Sequence, residues 1–229
     1  CGAVHPQIMA AAVVAHGADA GICLDGDADR LIMADEAGTI IDGDQILGCL
    51  ALAMQERGTL AKNAVVGTVM TNRGLETRLG KAGIDLHRVA VGDRYILEKM
   101  RQDGLNLGGE PSGHMLMTDF ARSGDGLLTA LQMLTLLKTS GKKASKLFNS
   151  FSPNPQRLEN LRGINPAILQ DQKLQSDLAN IEANLNGKGR VLVRPSGTEA
   201  LVRVMVEAES EALLTEAMEA LILRITAEA

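Results

Sequence analysis

At 229 residues, 45% hydrophobic and 22% charged, the chain is long enough for one large or two small domains and is neither disordered nor built on disulfides. Aromatics are only 2%, Trp is absent, and the net charge is -5 with no Lys/Arg stripe, so a nucleic-acid partner is excluded. Cys1, Cys23 and Cys49 form no C-x-x-C pair, which points to a reducing, cytoplasmic setting. The apolar run over 127–137, broken by Thr129, Gln132 and Thr135, falls short of the ~20 residues that span a bilayer, so no membrane partner is expected.

Pro6 in the first turn and Gly17 at the end frame a helix over 7–16. Residues 18–24 and 31–34 read as strands, the second followed by a turn at 36–38. Ile46, Leu47, Leu50 and Met54 at helical spacing predict a helix over 44–57, stopped by Gly58. A regular alternation follows: strand 65–69, helix 72–82, strand 86–91, helix 94–102, strand 105–108, then a helix near 124–138. That order implies a largely parallel sheet covered by helices. Pro153 and Pro155 cannot continue a helix and mark a linker over 150–155. Beyond it come a strand at 158–162, a helix over 166–185, strands at 190–194 and 201–207, and a closing helix from Ser210. The fold class is α/β, a mixed sheet with helices on both faces, followed by a C-terminal α+β domain. No internal repeat is visible.

Four loops carry candidate chemistry. In Leu24-Asp25-Gly26-Asp27-Ala28-Asp29-Arg30, three alternating carboxylates repel one another unless a cation neutralises them, and hard oxygen donors suit Mg2+. The other reading is a solvated acidic turn. A twelve-residue calcium loop starting at Asp25 fails at its sixth position, where Arg30 replaces the required Gly. In Gly108-Gly109-Glu110-Pro111-Ser112-Gly113-His114, Glu110, Ser112 and His114 offer an acceptor, a hydroxyl and a titratable ring to sugar hydroxyls, unless the segment is only a Gly-rich turn. In Arg194-Pro195-Ser196-Gly197-Thr198-Glu199, with Arg203 beyond, two guanidinium groups and two hydroxyls make a phosphate cradle, or else a hairpin whose arginines pair with Glu199 and Glu207. Val91-Gly92-Asp93-Arg94-Tyr95 lies where a strand gives way to a helix, so Asp93 and Arg94 either face a substrate or, in the case of Asp93, cap the helix.

The motif order LDGDADR, VGDRYILEKM, GGEPSGH, RPSGTEALVRVMVEA resembles the α-D-phosphohexomutases over nearly the whole chain, and within that family the branch acting on glucosamine phosphates. The resemblance implies interconversion of glucosamine 6-phosphate and glucosamine 1-phosphate through a phosphoserine and a bisphosphorylated intermediate. Mutases of mannose or glucose phosphates, and a non-catalytic phosphosugar-binding protein, are the alternatives. It assigns Mg2+ to Asp25, Asp27 and Asp29, and transfer-related roles to Arg30 and to His114 as proton carrier. Asp93, Arg94, Glu110 and Ser112 fall to the substrate, and Arg194, Ser196, Gly197, Thr198 and Arg203 to the phosphate that is not transferred. Pro111 stands where the family more often has a polar residue, and Ala200 where Pro is usual. No Ser-His-Asn-Pro element occurs, so the chain is expected to lack the phosphoserine domain and to be inactive alone. On this likeness residues 1–37 end a second domain with the metal loop, 38–148 form a third with the sugar loop, and 149–229 a fourth with the phosphate loop. Its partners are then a phosphosugar substrate and the N-terminal domains of the same enzyme, with a homodimer left open.

Overall fold

The computed structural model describes residues 2–196 and 201–227 and divides into two units, residues 1–152 and 153–229. In the first unit, α1 (Gln7–His16) leads into an antiparallel sheet of β1 (Ala20–Leu24), β2 (Leu31–Asp35) and the two-residue β3 (Ile40–Ile41). After α2 (Gly43–Glu56) come β4 (Ala64–Thr68), α3 (Arg73–Lys81), β5 (Asp85–Val89), α4 (Asp93–Asp103), β6 (Leu107–Gly109) and β7 (Met115–Met117). Their order in the sheet is β5-β4-β6-β7. The first three strands are parallel, as the alternation predicts, but β7 turns back antiparallel onto β6. Helices α5 (Gly126–Ser140) and α6 (Ala144–Leu147) complete the unit. At three residues β7 is too short to show a period in the sequence.

Alternation along the strands sorts the core onto two faces. Val65, Leu107, Met115 and Met117 join Leu47, Leu50, Leu75, Leu79 and Met133 of α2, α3 and α5. On the other face Ala64, Val66 and Leu116 meet Ile96 and Met100 of α4. Burial in this core pushes the Cys49 thiol up to about 12, which keeps it protonated and inert.

One local arrangement of the first unit recurs without a repeat in the sequence. Helix α1 ends on Gly17 (φ 61°) and α4 on Gly104 (φ 65°), both left-handed caps that only Gly adopts at no cost. One residue on, Ala18 N–H donates to Val13 O (3.0 Å) and Leu105 N–H to Met100 O (2.8 Å). Four residues past each cap a strand glycine lets the helix sit down on the sheet. A Cβ on Gly21 would lie 2.1 Å from Met9 Sδ and 2.5 Å from Val13 Cγ2; one on Gly108, 2.6 Å from Ile96 Cγ2 and 2.9 Å from Met100 Sδ. Every member of the first set is 87 residues before its counterpart. The repeat rests on glycines and interchangeable apolar residues, so sequence identity does not reveal it. Its copies differ at one edge: β6 pairs with β4 on its outer side, whereas β1 is a sheet edge with no outer strand among the described residues.

The supposed linker is anchored at its start. Gln45 Oε1 accepts from Ser150 N–H (2.8 Å) and Oγ–H (2.9 Å), while Gln45 Nε2 donates to Phe151 O (2.9 Å). The second unit is an antiparallel sheet of β8 (Gln156–Arg162), β9 (Gly189–Pro195) and β10 (Leu201–Ala208) in the order β8-β10-β9, with α7 (Gln172–Asn184) and α8 (Glu211–Ala227). Val202, Val204 and Val206 of β10 pack on Leu174, Leu214, Met218 and Leu221 of the helices. The helix expected over 166–185 is broken. A 3-10 turn at Pro166–Gln170 ends at Asp171, whose extended backbone (ψ 125°) and side-chain bond to Leu174 N–H restart the chain as α7. Among the described residues no helix is long and apolar enough to cross a membrane.

Candidate metal and sugar-phosphate sites

The β1–β2 connection tightens on itself at residues 25–30. Asp25 O accepts from Ala28 N–H (3.3 Å), Asp25 Oδ1 accepts from Arg30 N–H (3.2 Å), and Ala28 sits at φ 60°. Left-handed backbone costs a non-Gly residue about 1–2 kcal/mol. The turn is held from outside, because Ala28 O accepts from Gly126 N–H at the start of α5 (2.9 Å). The result brings one oxygen each of Asp25, Asp27 and Asp29 within 4.8 Å of the others. Arg30 Nε lies 3.6 Å from Asp25 Oδ2 and 3.9 Å from Asp29 Oδ1, so one cation is shared by two of the three anions. Asp29 Oδ1 is buried without a hydrogen bond, and a desolvated carboxylate oxygen in that state is costly. Three hard oxygen donors, one of them left over, fit Mg2+, which takes one or a few carboxylates and fills its octahedron with water or phosphate oxygens.

The glycine-rich loop closes directly over this turn. Arg30 and His114 form an antiparallel bridge, and Leu31 N–H donates to Gly113 O (3.0 Å). His114 Nδ1 is 3.0 Å from Asp29 Oδ2, and the His114 side chain is only 7% exposed. Glu110 Oε1 accepts from Gly92 N–H (2.9 Å) and Oε2 from Ser112 Oγ–H (3.3 Å), so this carboxylate ties the 91–95 junction to the loop. Asp29, Arg30, Gly92, Glu110, Ser112 and His114 are thus linked by direct bonds within one unit. Asp93 does not cap α4. The cap position is Gly92, at φ 132° without a side-chain bond, while Asp93 is the first helical residue and its Oδ1 accepts from Arg94 N–H (2.6 Å). Asp93 and Arg94 are exposed.

Sequence reading missed a buried polar group at the carboxyl ends of β4 and β5, where ligands of such sheets gather. Arg88 donates to Thr68 O (3.1 Å) and Thr71 O (2.6 Å), and Asn72 N–H to Asp44 Oδ2 (2.7 Å). Nothing local marks these residues, since their partners lie 17 to 28 positions away. A cavity of about 770 Å³ is lined by Ala20, Leu134, Leu137, Lys138 and Lys143, at the opposite end of α5 from Gly126 and apart from the acidic turn.

In the second unit, Arg194 and Arg203 stand opposite each other across β9 and β10. Four residues along the same face, Glu207 stands opposite Arg190 and pairs with it, Nε to Oε2 at 2.6 Å, with Glu207 fully buried. The arginine pair has no such carboxylate among the described residues, and the Nε of each is buried without a hydrogen bond. Two like charges held opposite one another are destabilising, and an anion that accepts from both removes the conflict. The hairpin reading pairs these arginines with Glu199 and Glu207; Glu207 pairs with Arg190 instead, and Glu199 lies outside the described residues. Ser196 N–H donates to Leu201 O (2.9 Å), closing the hairpin. Gly197 and Thr198, with Glu199, lie outside the described residues.

Residues 42–154 match the family model for phosphoglucomutase/phosphomannomutase alpha/beta/alpha domain III, and residues 155–224 the model for the phosphoglucomutase/phosphomannomutase C-terminal domain. The chain is 52% identical over 223 residues to the phosphoglucosamine mutase of Roseobacter denitrificans, covering 97% of this chain and 50% of that protein. It is 50% identical over 228 residues to that of a Ruegeria species, covering 99% and 51%. The chain therefore spans about half the length of the curated relatives it matches. A phosphoglucomutase/phosphomannomutase family protein from Burkholderia thailandensis aligns with a TM-score of 0.81 at 24% identity over 99% of this chain and 50% of its own. N-acetylphosphoglucosamine mutase from Aspergillus fumigatus, solved with GlcNAc-6P and magnesium, aligns with a TM-score of 0.76 at 19% identity over 89% and 51%. At these identities the two structures share its fold.

Proposed function

The chain belongs to the phosphoglucomutase/phosphomannomutase family, and from that premise we propose that it is the C-terminal half of a phosphoglucosamine mutase, holding a Mg2+ site and the sugar and phosphate grips while the phosphoserine is carried by the other half. The observation that carries the reading is the acidic turn with its leftover Asp29 Oδ1, bonded directly to the sugar loop through Arg30 and His114. Identity of 50 to 52% to phosphoglucosamine mutases favours glucosamine phosphates as substrate.

Phosphoryl transfer needs placement and charge neutralisation more than covalent chemistry from the protein. Asp25, Asp27 and Asp29 would hold Mg2+, which supplies positive charge against the transferring phosphoryl oxygens. Arg30, with 45% of its side chain exposed, reaches the same oxygens from beside the turn. Glu110, Ser112, Asp93 and Arg94 bind the sugar and its nearby charge. In the other unit Arg194 and Arg203, with Ser196, Gly197 and Thr198, take the phosphate that stays on the sugar.

Calorimetric titration with glucosamine 1,6-bisphosphate in the presence of Mg2+ tests the reading. Wild type is expected to bind it more tightly than the mannose or glucose bisphosphates. Arg203→Ala should weaken binding roughly 10- to 100-fold, the loss of a charge-assisted contact of about 1.5–3 kcal/mol. Unchanged affinity in Arg203→Ala would remove the arginine pair from the site, and a preference for the mannose or glucose compound would reassign the substrate.

A further inference from the structure

The resemblance gives His114 to proton transfer, and its other ring nitrogen has a further task. The residue is 5% exposed. Nε2 is buried without a hydrogen bond, and Gly124 closes over it so tightly that a Cβ there would lie 2.3 Å from that nitrogen. Only Nδ1 has a partner, Asp29 Oδ2 at 3.0 Å, which places the proton on Nδ1 because a carboxylate oxygen is an acceptor.

We propose that His114 is a positioning residue for the divalent cation: its Nδ1–H holds one oxygen of Asp29, so that Oδ1 is the oxygen presented to Mg2+. The inference rests on the Mg2+ reading of the acidic turn and goes beyond it by naming what orients a ligand. The main chain holds the residue that bears the ring: His114 O accepts from Glu110 N–H (3.0 Å), Gly113 O accepts from Leu31 N–H (3.0 Å), and His114 itself is bridged to Arg30, the neighbour of Asp29. Gly124 packs against the ring, and Asp29 cannot rotate without giving up its bond to Nδ1. Partners that bind a metal's ligands change affinity by roughly 10- to 100-fold when removed. The same bond joins the cation to the loop bearing Glu110 and Ser112.

The test is Mg2+ affinity by calorimetry for the 229-residue chain and three variants, with the thermal midpoint of each recorded without metal. His114→Ala should bind about 10- to 100-fold more weakly than wild type. In His114→Asn the amide nitrogen takes the place of Nδ1, and affinity should return to within about three-fold of wild type, a rescue of the donor that packing alone does not give. His114→Gln carries its nitrogen where Nε2 was and should stay as weak as alanine. If alanine does not fold, the Asn and Gln pair decides. Equal affinity of those two overturns the proposal, whether both match wild type or both are weak. A wild-type chain that takes up no Mg2+ overturns the metal reading itself, a result distinguishable from the first.

Discussion

Replacing Gly113 with alanine is expected to lower the unfolding free energy of the first unit by about 3 kcal/mol, the sum of a left-handed backbone and an overpacked contact. Gly113 sits at φ 93°, and a Cβ on it would lie 2.1 Å from Leu31 O and 2.8 Å from Leu31 C. Those atoms are backbone and cannot turn aside. The only relief is to separate the sugar loop from β2, which breaks the Leu31–Gly113 bond and the Arg30–His114 bridge. Gly141→Ala is the control: φ is 64° there, but nothing lies within 4 Å of the added carbon, so only the backbone cost of about 1–2 kcal/mol applies. Urea denaturation should rank the pair clearly. Equal midpoints would mean that the two loops are not locked together.

Asp27→Ala should weaken Mg2+ binding by at least about 100-fold while leaving the metal-free protein as stable as wild type, or slightly more so, because a mutually repelling carboxylate has gone. Asp27 is exposed and receives no hydrogen bond in the turn, unlike Asp25, which holds Arg30 N–H, and Asp29, which faces His114. Its removal therefore separates metal binding from folding. Calorimetry reads the first effect and urea denaturation without metal the second. Unchanged affinity would show that the acids do not act together on one cation. A marked loss of stability would show that Asp27 is a structural residue of the turn.

The acidic turn was legible in the sequence because all its chemistry is local: three alternating carboxylates and an arginine between two apolar runs. The arginine pair was legible in part. Arg194 and Arg203 stand out by charge, but their opposition across two strands, and the ion pair that occupies Glu207 instead, follow from the register of β9 and β10. The His114–Asp29 bond joins residues 85 positions apart through a bridge between loops, and no local pattern encodes such a pairing. Element types followed periodicity well where runs were long, as in α2 and α5. They failed at β7, a three-residue strand, and at Asp171, where a side-chain cap overrode a pattern that otherwise continued as helix. The 87-residue repeat was hidden because its determinants are backbone conformations and the absence of side chains at Gly21 and Gly108.

The central claim, that this chain supplies the metal and substrate grips of a mutase whose nucleophile lies on another segment, meets its most direct test in a complementation assay. The chain is assayed on glucosamine 1-phosphate with Mg2+ and glucosamine 1,6-bisphosphate, alone and with the separately produced N-terminal half of the Roseobacter denitrificans enzyme. The account predicts no turnover alone and formation of glucosamine 6-phosphate when the halves are combined. Substantial turnover by the chain alone would contradict it.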